Sequence, residues 1–322
     1  MQYSKSEYEK IINEDGHWSA HNIFISDNFY TISDNIQNDE YKLFRVIQNV
    51  CDLTGKKLNE LRVLDLACLE GMFGMEFARQ GAEVTFLDAR EVNLRKVDFV
   101  AKAIGVNNYK IVKDDVRAIS VEKYGRFDVV LCFGIFYHLD KNDLFDFVKS
   151  MYEISTGIVF FDTQITESMS ESFTVQNVEY FGERYREHRN DATEIDKKSD
   201  LWKSIDNTYS FKLTKSSLVR MCYHAGFTSA FESFLPYDKT KDSSRVSLIA
   251  IKGKPVQILS VPKLNSKDNY LAIEITKSAK LKEKLFFMKN DFIYKVKLNS
   301  PKFVRDIYKK YFKNEKFYKK TK

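Results

Sequence analysis

Between residues 61 and 252, short apolar runs alternate with stretches in which apolar positions recur every three or four residues. The runs read as strands buried on both faces, and the periodic stretches as helices with one buried face. The first strand is Arg62–Leu66, carrying Val63, Leu64 and Leu66, and it leads into a turn at Ala67–Gly71. A helix follows from Met72, with Phe73, Phe77 and Ala78 inward and Gly81 as its stop. Next come a strand at Glu83–Leu87 ending in Asp88, a helix at Asn93–Ala103 and a third strand at Tyr109–Val112. Phe127–Phe133 and Gly157–Thr163 are the fourth and fifth strands. Between them a helix at Asn142–Ile154 carries Leu144, Phe147, Val148, Met151 and Ile154 on one stripe. A helix at Ser217–His224 and strands at Ser229–Phe234 and Arg245–Lys252 complete the set. Alternation of this kind builds an α/β fold with a doubly wound, mostly parallel sheet.

Three segments depart from the alternation. Residues 1–37 form a polar lead with aromatics at Tyr8, His17, Trp18, His21, Phe24, Phe29 and Tyr30, before an amphipathic helix at Asn38–Gly55. That helix is expected to bury Tyr41, Phe44, Ile47 and Cys51. Residues 165–207 are long and polar with inset aromatics, which marks a functional loop or an inserted lid. Beyond residue 254, the runs KLFFMK and FIYKVKL flank Asn290-Asp291 as a hairpin. Ser300 and Pro301 then open a helix with Phe303, Val304, Ile307, Tyr308 and Tyr311 on one face.

Charge separates this tail from the rest. Lys263–Lys322 holds 18 basic and 6 acidic residues; the chain carries +6 overall, so an acidic body of −6 bears a tail of +12. The basic helix is expected first to dock on its own domain or on a second subunit, and second to meet an anionic membrane surface. Cys51, Cys68, Cys132 and Cys222 are far apart and lack zinc spacing, as expected of reduced thiols. The polar start and the absence of an 18-residue apolar run predict neither a signal peptide nor a membrane span. The expected location is the cytoplasm, with peripheral contact at the inner face of the membrane through 263–322.

The candidate chemistry begins at the first strand. Gly71 and the helix N-terminus offer backbone N–H groups to a ligand, and Asp65 is placed to face a cationic ligand group. Asp88, 23 positions after Asp65, stands where a strand tip binds ribose hydroxyls. The dinucleotide fingerprint G-x-G-x-x-G is missing, which puts an NAD-linked oxidoreductase a distant third among the readings. The segment Asp65-Leu66-Ala67-Cys68-Leu69-Glu70-Gly71 resembles the D-x-G-x-G-x-G motif of class I S-adenosylmethionine-dependent methyltransferases. Ala67 and Leu69 replace two of its glycines, and Leu69 sets a bulky side chain where the backbone should approach the ligand.

The resemblance spans residues 15–253 and implies a seven-stranded Rossmann-like sheet whose last strand inserts antiparallel beside the fifth. It implies an N-terminal cap over 1–60, a methyltransferase domain over 61–253 with a substrate lid at 165–212, and a basic extension over 254–322. It also implies that Asp65, Ala67, Gly71, Asp88, Ala89, Asp115, Val116 and Phe133 hold S-adenosylmethionine and its product S-adenosylhomocysteine. After the fourth strand, Gly134-Ile135-Phe136-Tyr137-His138-Leu139 resembles the G-x-x-Y-H-L segment of a subgroup with tRNA wobble-uridine and sugar or natural-product enzymes. Such a histidine can take a proton from an acceptor hydroxyl, or brace the next helix, and Tyr137 is a candidate pocket wall. Tyr185, Arg186, His188, Trp18 and His21 are the remaining candidates for acceptor contact. No metal-ligand cluster is apparent, so metal independence is expected.

The leading expectation is O-methylation of a sugar or glycan intermediate in bacterial surface-polysaccharide or natural-product biosynthesis. A tRNA-modifying enzyme is the alternative, with nucleic acid ranked below a small-molecule or glycan acceptor. The reading from another class is an inactive methyltransferase-fold scaffold or partner subunit, and oligomerisation is left open.

Overall fold

Five parallel strands and two flanking ones pair into a single seven-stranded sheet. The structure, a computed structural model, describes residues 5–266 apart from 27–28, 34, 36–37 and 235–243. A helix, α1 (Lys5–Asp15), and a small hairpin, β1 (Phe24–Ser26) and β2 (Phe29–Tyr30), precede α2 (Asn38–Thr54). The alternating region then runs β3 (Arg62–Leu66), α3 (Met72–Arg79), β4 (Glu83–Asp88), α4 (Glu91–Ile104) and β5 (Tyr109–Lys113). It continues with α5 (Val121–Tyr124), β6 (Phe127–Phe133), α6 (Leu144–Ile154) and β7 (Ser155–Gln164). The insertion follows as β8 (Glu171–Val175), β9 (Val178–Arg186), α7 (Glu194–Ser199) and β10 (Tyr209–Leu213). Last come α8 (Lys215–Ala225), β11 (Ser229–Glu232) and β12 (Arg245–Ile251).

The sheet order is β11-β12-β7-β6-β3-β4-β5, with β12 antiparallel between β7 and β11. This is the Rossmann-like methyltransferase arrangement expected from the sequence. Because β3 pairs with β4 on one side and β6 on the other, the winding reverses there. A ligand crevice opens at such a reversal, outside the carboxyl ends of the strands. Alternate residues of each parallel strand enter two apolar layers. Leu64, Leu66, Val130 and Phe161 meet Phe147 and Met151 of α6 on one face; Val63, Val84, Phe86 and Leu131 meet Met75, Phe77 and Val97 of α3 and α4 on the other.

Three expectations change. The polar lead is partly helical: Tyr8 of α1 stacks on Trp18 and meets Phe29 edge-on. On α2 the buried positions are Val46 and Val50, with Leu43 and Ile47 packed beside them, whereas Tyr41 and Phe44 are exposed. The small branched residues fit against the sheet, and the aromatics point away. The insertion is built on a three-stranded antiparallel sheet, β10-β9-β8, rather than a long loop. Gln176 and Asn177 join β8 to β9 with φ of 48° and 67°, the two left-handed residues of a tight hairpin turn.

The chain divides into two compact units, Met1–Pro262 and Lys263–Lys322. The hairpin and helix expected beyond residue 267 lie outside the described residues. Among the described residues, no helix is long and apolar enough to cross a membrane.

Candidate active site

A cavity of about 560 Å³ occupies the crevice at the ends of β3, β4 and β6. Its floor is the turn after β3. Ala67 and Leu69 adopt φ of 48° and 50°, the left-handed conformation that glycine would take more readily. Two hydrogen bonds hold them there: Cys68 N–H donates to Leu87 O (3.1 Å), and Leu69 N–H donates to an Asp88 carboxylate oxygen (3.0 Å). The motif therefore keeps its backbone course without two of its glycines. Gly71, with φ of 81°, lies behind the loop rather than on the cavity wall. A Cβ there would sit 2.8 Å from Val97, so the residue is required by packing against α4. Gly74, one turn on, brings its N–H to within 2.9 Å of Asp65 Oδ2, and a Cβ would strike Phe86 at 2.5 Å.

Two buried carboxylates line this end. Burial, reinforced by the Asp88 charge and opposed by the Gly74 hydrogen bond, pushes the Asp65 carboxyl up to about 8. Asp88 is also pushed up by burial, although Arg90 N–H, Asn93 and Leu69 N–H hydrogen-bond its charged form. Its Oδ2 accepts from Leu69 N–H and Asn93 Nδ2, and its Oδ1 from Arg90 N–H (2.8 Å), leaving acceptor capacity on Oδ1. Beside it, Asn93 borders the same cavity, and its Oδ1 is buried without a hydrogen-bond partner. A hydrogen-bond acceptor is seldom left in that state unless a ligand completes it.

The opposite end is built on β6 and the short helical turn after it. Phe133 packs edge-on against Phe73, and Tyr137 and His138 continue the wall. His138 Nδ1 lies 2.7 Å from Glu187 Oε1. Tyr185 Oη lies within hydrogen-bond distance of both Glu187 Oε1 (2.5 Å) and Tyr137 O (2.6 Å). With Nδ1 committed, Nε2 is the ring nitrogen left for the cavity. Nearby, Arg245 and Lys42 share the buried Asp162 carboxylate, which they and Ser247 hold below the usual range despite its burial. The Arg245 guanidinium also lies over the Tyr137 ring. Asp162, near the tip of β7, is the anchor of these cations.

Residues 201–206, between α7 and β10, roof the cavity. Two arginines latch this roof. Arg90 reaches the carbonyl oxygens of Asp200 and Lys203, both at 2.9 Å, and those of Lys197 and Lys198 at longer range. Arg117 pairs with Asp115 and with Asp206 of the roof.

The cavity wall brings together Asp65, Ala67, Asp88, Ala89, Asp115, Val116, Phe133, Tyr137, His138 and His21 from the sequence expectations. Asp114 points instead to Tyr124 and Lys123. His21 accepts the Met72 N–H at 3.2 Å and stacks edge-on against Phe73. Trp18 is buried between Tyr8 and Phe99 with Lys96 over its ring, away from the cavity. Tyr185 stands behind His138, His188 is buried with Nε2 at 2.7 Å from Ser204 O, and Arg186 is exposed on β9. Sequence reasoning missed Asn93, Glu187 and the arginines Arg90 and Arg117. The arginines share one legible signal, a position two residues after a strand-tip acid.

Residues 63–156 match the family described as the methyltransferase domain. The sheet order and the crevice are those of the Rossmann-like methyltransferase class, and the methyltransferase-domain match falls on its first strands and helices. Within that class the chain is similar to the ubiquinone biosynthesis O-methyltransferase of Rickettsia akari (strain Hartford), at 23% identity over 52% of this chain and 65% of the relative. The enzyme of the same description from Bordetella pertussis is 31% identical over 39% of this chain and 52% of the relative. The chain thus spans between about half and 65% of the length of these curated relatives. In three dimensions it is similar to the N-terminal domain of EvdMO1, crystallised in the presence of SAH and D-fucose. That likeness has a TM-score of 0.59 at 22% identity and covers 78% of this chain and 97% of the domain.

The site fits S-adenosylmethionine on its own chemistry. Asp88 Oδ1 keeps acceptor capacity suited to a ribose hydroxyl, the orphaned Asn93 Oδ1 belongs to a residue of the same wall, and Asp65 is a buried acid suited to a cationic group.

Proposed function

We propose that the protein methylates a hydroxyl of a sugar or glycan, with His138 as the general base. The observation that carries the reading is the His138 imidazole on the cavity wall with its Nδ1 engaged by Glu187, which leaves Nε2 as the ring nitrogen for an acceptor. S-adenosylmethionine, when bound, supplies an electrophilic methyl group. Asp88 and Asn93 hold its ribose, Asp65 faces its charge, and Asp115 and Val116 border its adenine. The protein aligns the acceptor oxygen, excludes water beneath residues 201–206, and takes the acceptor's proton on His138.

The acceptor end favours a polyhydroxylated molecule. Tyr137 offers an aromatic face, while Lys42 and Arg245 offer hydrogen bonds. A polyprenylated phenol would need an apolar trough in their place. The EvdMO1 domain, crystallised with D-fucose, supports the same choice by analogy. A tRNA acceptor finds less support, because the chain outside Lys263–Lys322 carries −6 and phosphate polymers bind basic faces.

The test is calorimetric titration with S-adenosylmethionine, S-adenosylhomocysteine and NADH, followed by methyl transfer to monosaccharides and nucleotide sugars. Binding of the first two, lost in Asp88→Ala, is expected. Transfer should fall about 10²–10⁴-fold in His138→Ala with cofactor binding intact. A folded sample that binds neither cofactor form would move the inactive-scaffold reading to first place.

A further inference from the structure

Glu187 stands 49 positions after His138 and is buried, 6% exposed, at the end of β9. Burial raises its pKa, yet hydrogen bonds and charge from His138 and a bond from Tyr185 more than offset this, so the carboxylate remains ionised. An ionised carboxylate only accepts. Its Oε1 faces His138 Nδ1 and the Tyr185 hydroxyl, and its Oε2 faces Ser204 N–H at 3.4 Å. Ser204 belongs to the cavity roof. One side chain thus joins the imidazole, the tyrosine beneath it and the segment that covers the cavity.

We propose that Glu187 is a positioning residue of the reaction: accepting from His138 Nδ1, it holds the imidazole as the Nδ1–H tautomer and aims the Nε2 lone pair at the acceptor. The inference rests on the reading of His138 as the base. Free imidazole side chains prefer the proton on Nε2, which would point a donor, not an acceptor, at the substrate hydroxyl. A carboxylate at Nδ1 reverses that preference and balances the positive charge that forms when Nε2 takes the proton. Tyr185 fixes the carboxylate from below, and its own hydroxyl is pushed well above its usual range by burial and by the bond to Glu187. The Ser204 N–H, 3.4 Å from Oε2, ties the roof to the same carboxylate.

The deciding measurement is the tautomer. Full-length protein labelled with ¹⁵N-histidine, saturated with S-adenosylhomocysteine at alkaline pH, is compared with Glu187→Met and Glu187→Ala by long-range ¹H–¹⁵N correlation. His138→Asn assigns the resonance among the 5 histidines. Wild type should show the Nδ1–H form and both Glu187 variants the Nε2–H form, with the product titration confirming that each variant is folded. Glu187→Met keeps the side-chain volume, so it serves where the alanine collapses. Turnover on any accepted sugar should fall about 10²-fold or more in Glu187→Met with the KM for S-adenosylmethionine unchanged. An Nε2–H wild type, or an Nδ1–H form that survives in Glu187→Met, overturns the proposal. So does full turnover in Glu187→Met beside an inactive His138→Ala. Full turnover in His138→Ala would instead defeat the base reading itself.

Discussion

The Glu70 carboxylate and the Lys96 ammonium meet at 3.2 Å with both side chains 1% exposed. Glu70 also accepts the backbone N–H groups of Ser19, Ala20 and His21, and Lys96 donates to His17 O. The pair therefore pins the N-terminal segment over the turn that follows β3. Removing one partner of such a pair strands the other charge, which costs about 3–5 kcal/mol. Lys96→Met should lower the urea midpoint accordingly and weaken cofactor binding through His21. The double variant Glu70→Met with Lys96→Met should stay destabilised, because it strands the N–H groups of Ser19, Ala20 and His21 that Glu70 accepts, and an unchanged midpoint in the single variant would show that the pair is dispensable.

Asp65 makes cofactor binding pH-dependent. With its carboxyl at about 8 in the ligand-free protein, it is protonated at pH 7 and must ionise to meet a cationic ligand. S-adenosylmethionine affinity should rise with pH toward 8 and level off above it, with release of a proton detectable by calorimetry in buffers of different ionisation enthalpy. The folded pKa is raised above the unfolded value of about 4, so Asp65 favours the ligand-free fold at low pH and loses that contribution as pH rises through 8. Asp65→Asn should flatten both dependences.

Asn93→Leu removes the acceptor that has no partner in the protein. S-adenosylhomocysteine affinity should fall about 10- to 100-fold, on the order of 1–3 kcal/mol. Thermal stability should change less, because Leu69 and Arg90 continue to hold Asp88. Equal affinity in wild type and variant would place the ribose elsewhere.

The roof can be watched directly. Of the 2 tryptophans, Trp18 is buried and Trp202 is 58% exposed on the roof, so a change in emission on roof opening belongs to Trp202. Arg90→Ala frees four backbone carbonyls from one guanidinium. It should shift that emission, speed proteolysis near residues 200–206 and raise the dissociation rate of S-adenosylhomocysteine. Unaltered emission and proteolysis would mean that the roof is held without Arg90, by Arg117 and by the contacts of Ser204 with Glu187 and His188.

Ala67→Gly should raise the melting temperature slightly. A left-handed non-glycine residue carries about 1–2 kcal/mol of strain, of which glycine's greater unfolded freedom returns part. Leu69→Gly gains the same relief but loses a half-buried side chain on the cavity wall, so it should not stabilise.

How much was legible in the chain follows from what each segment buries. The strands Arg62–Leu66 and Phe127–Phe133 are apolar because both faces are covered, and they occupy the spans their sequence predicts. The strand Val178–Arg186 buries only Tyr180 and Gly182, so its charged remainder reads as a solvated helix or loop. Its signal lay in the Gln176-Asn177 turn. On α2 the exposed aromatics Tyr41 and Phe44 suggested the wrong face, because apolar size outweighed the fit of valine to the sheet. Asp65, Asp88 and His138 could be picked out from their place at strand ends. Glu187 could not, since its partner lies 49 positions back along the chain, across α6, β7 and the β8–β9 hairpin.

The turn after β3 carries a consequence for how such proteins are searched for. What the turn after β3 requires is a pair of left-handed residues braced by the Asp88 carboxylate and the Leu87 carbonyl, and alanine and leucine meet that requirement here. A search keyed to glycine letters will pass over chains that spell the same curve differently. One keyed to the acid that clamps the loop from the neighbouring strand will find them.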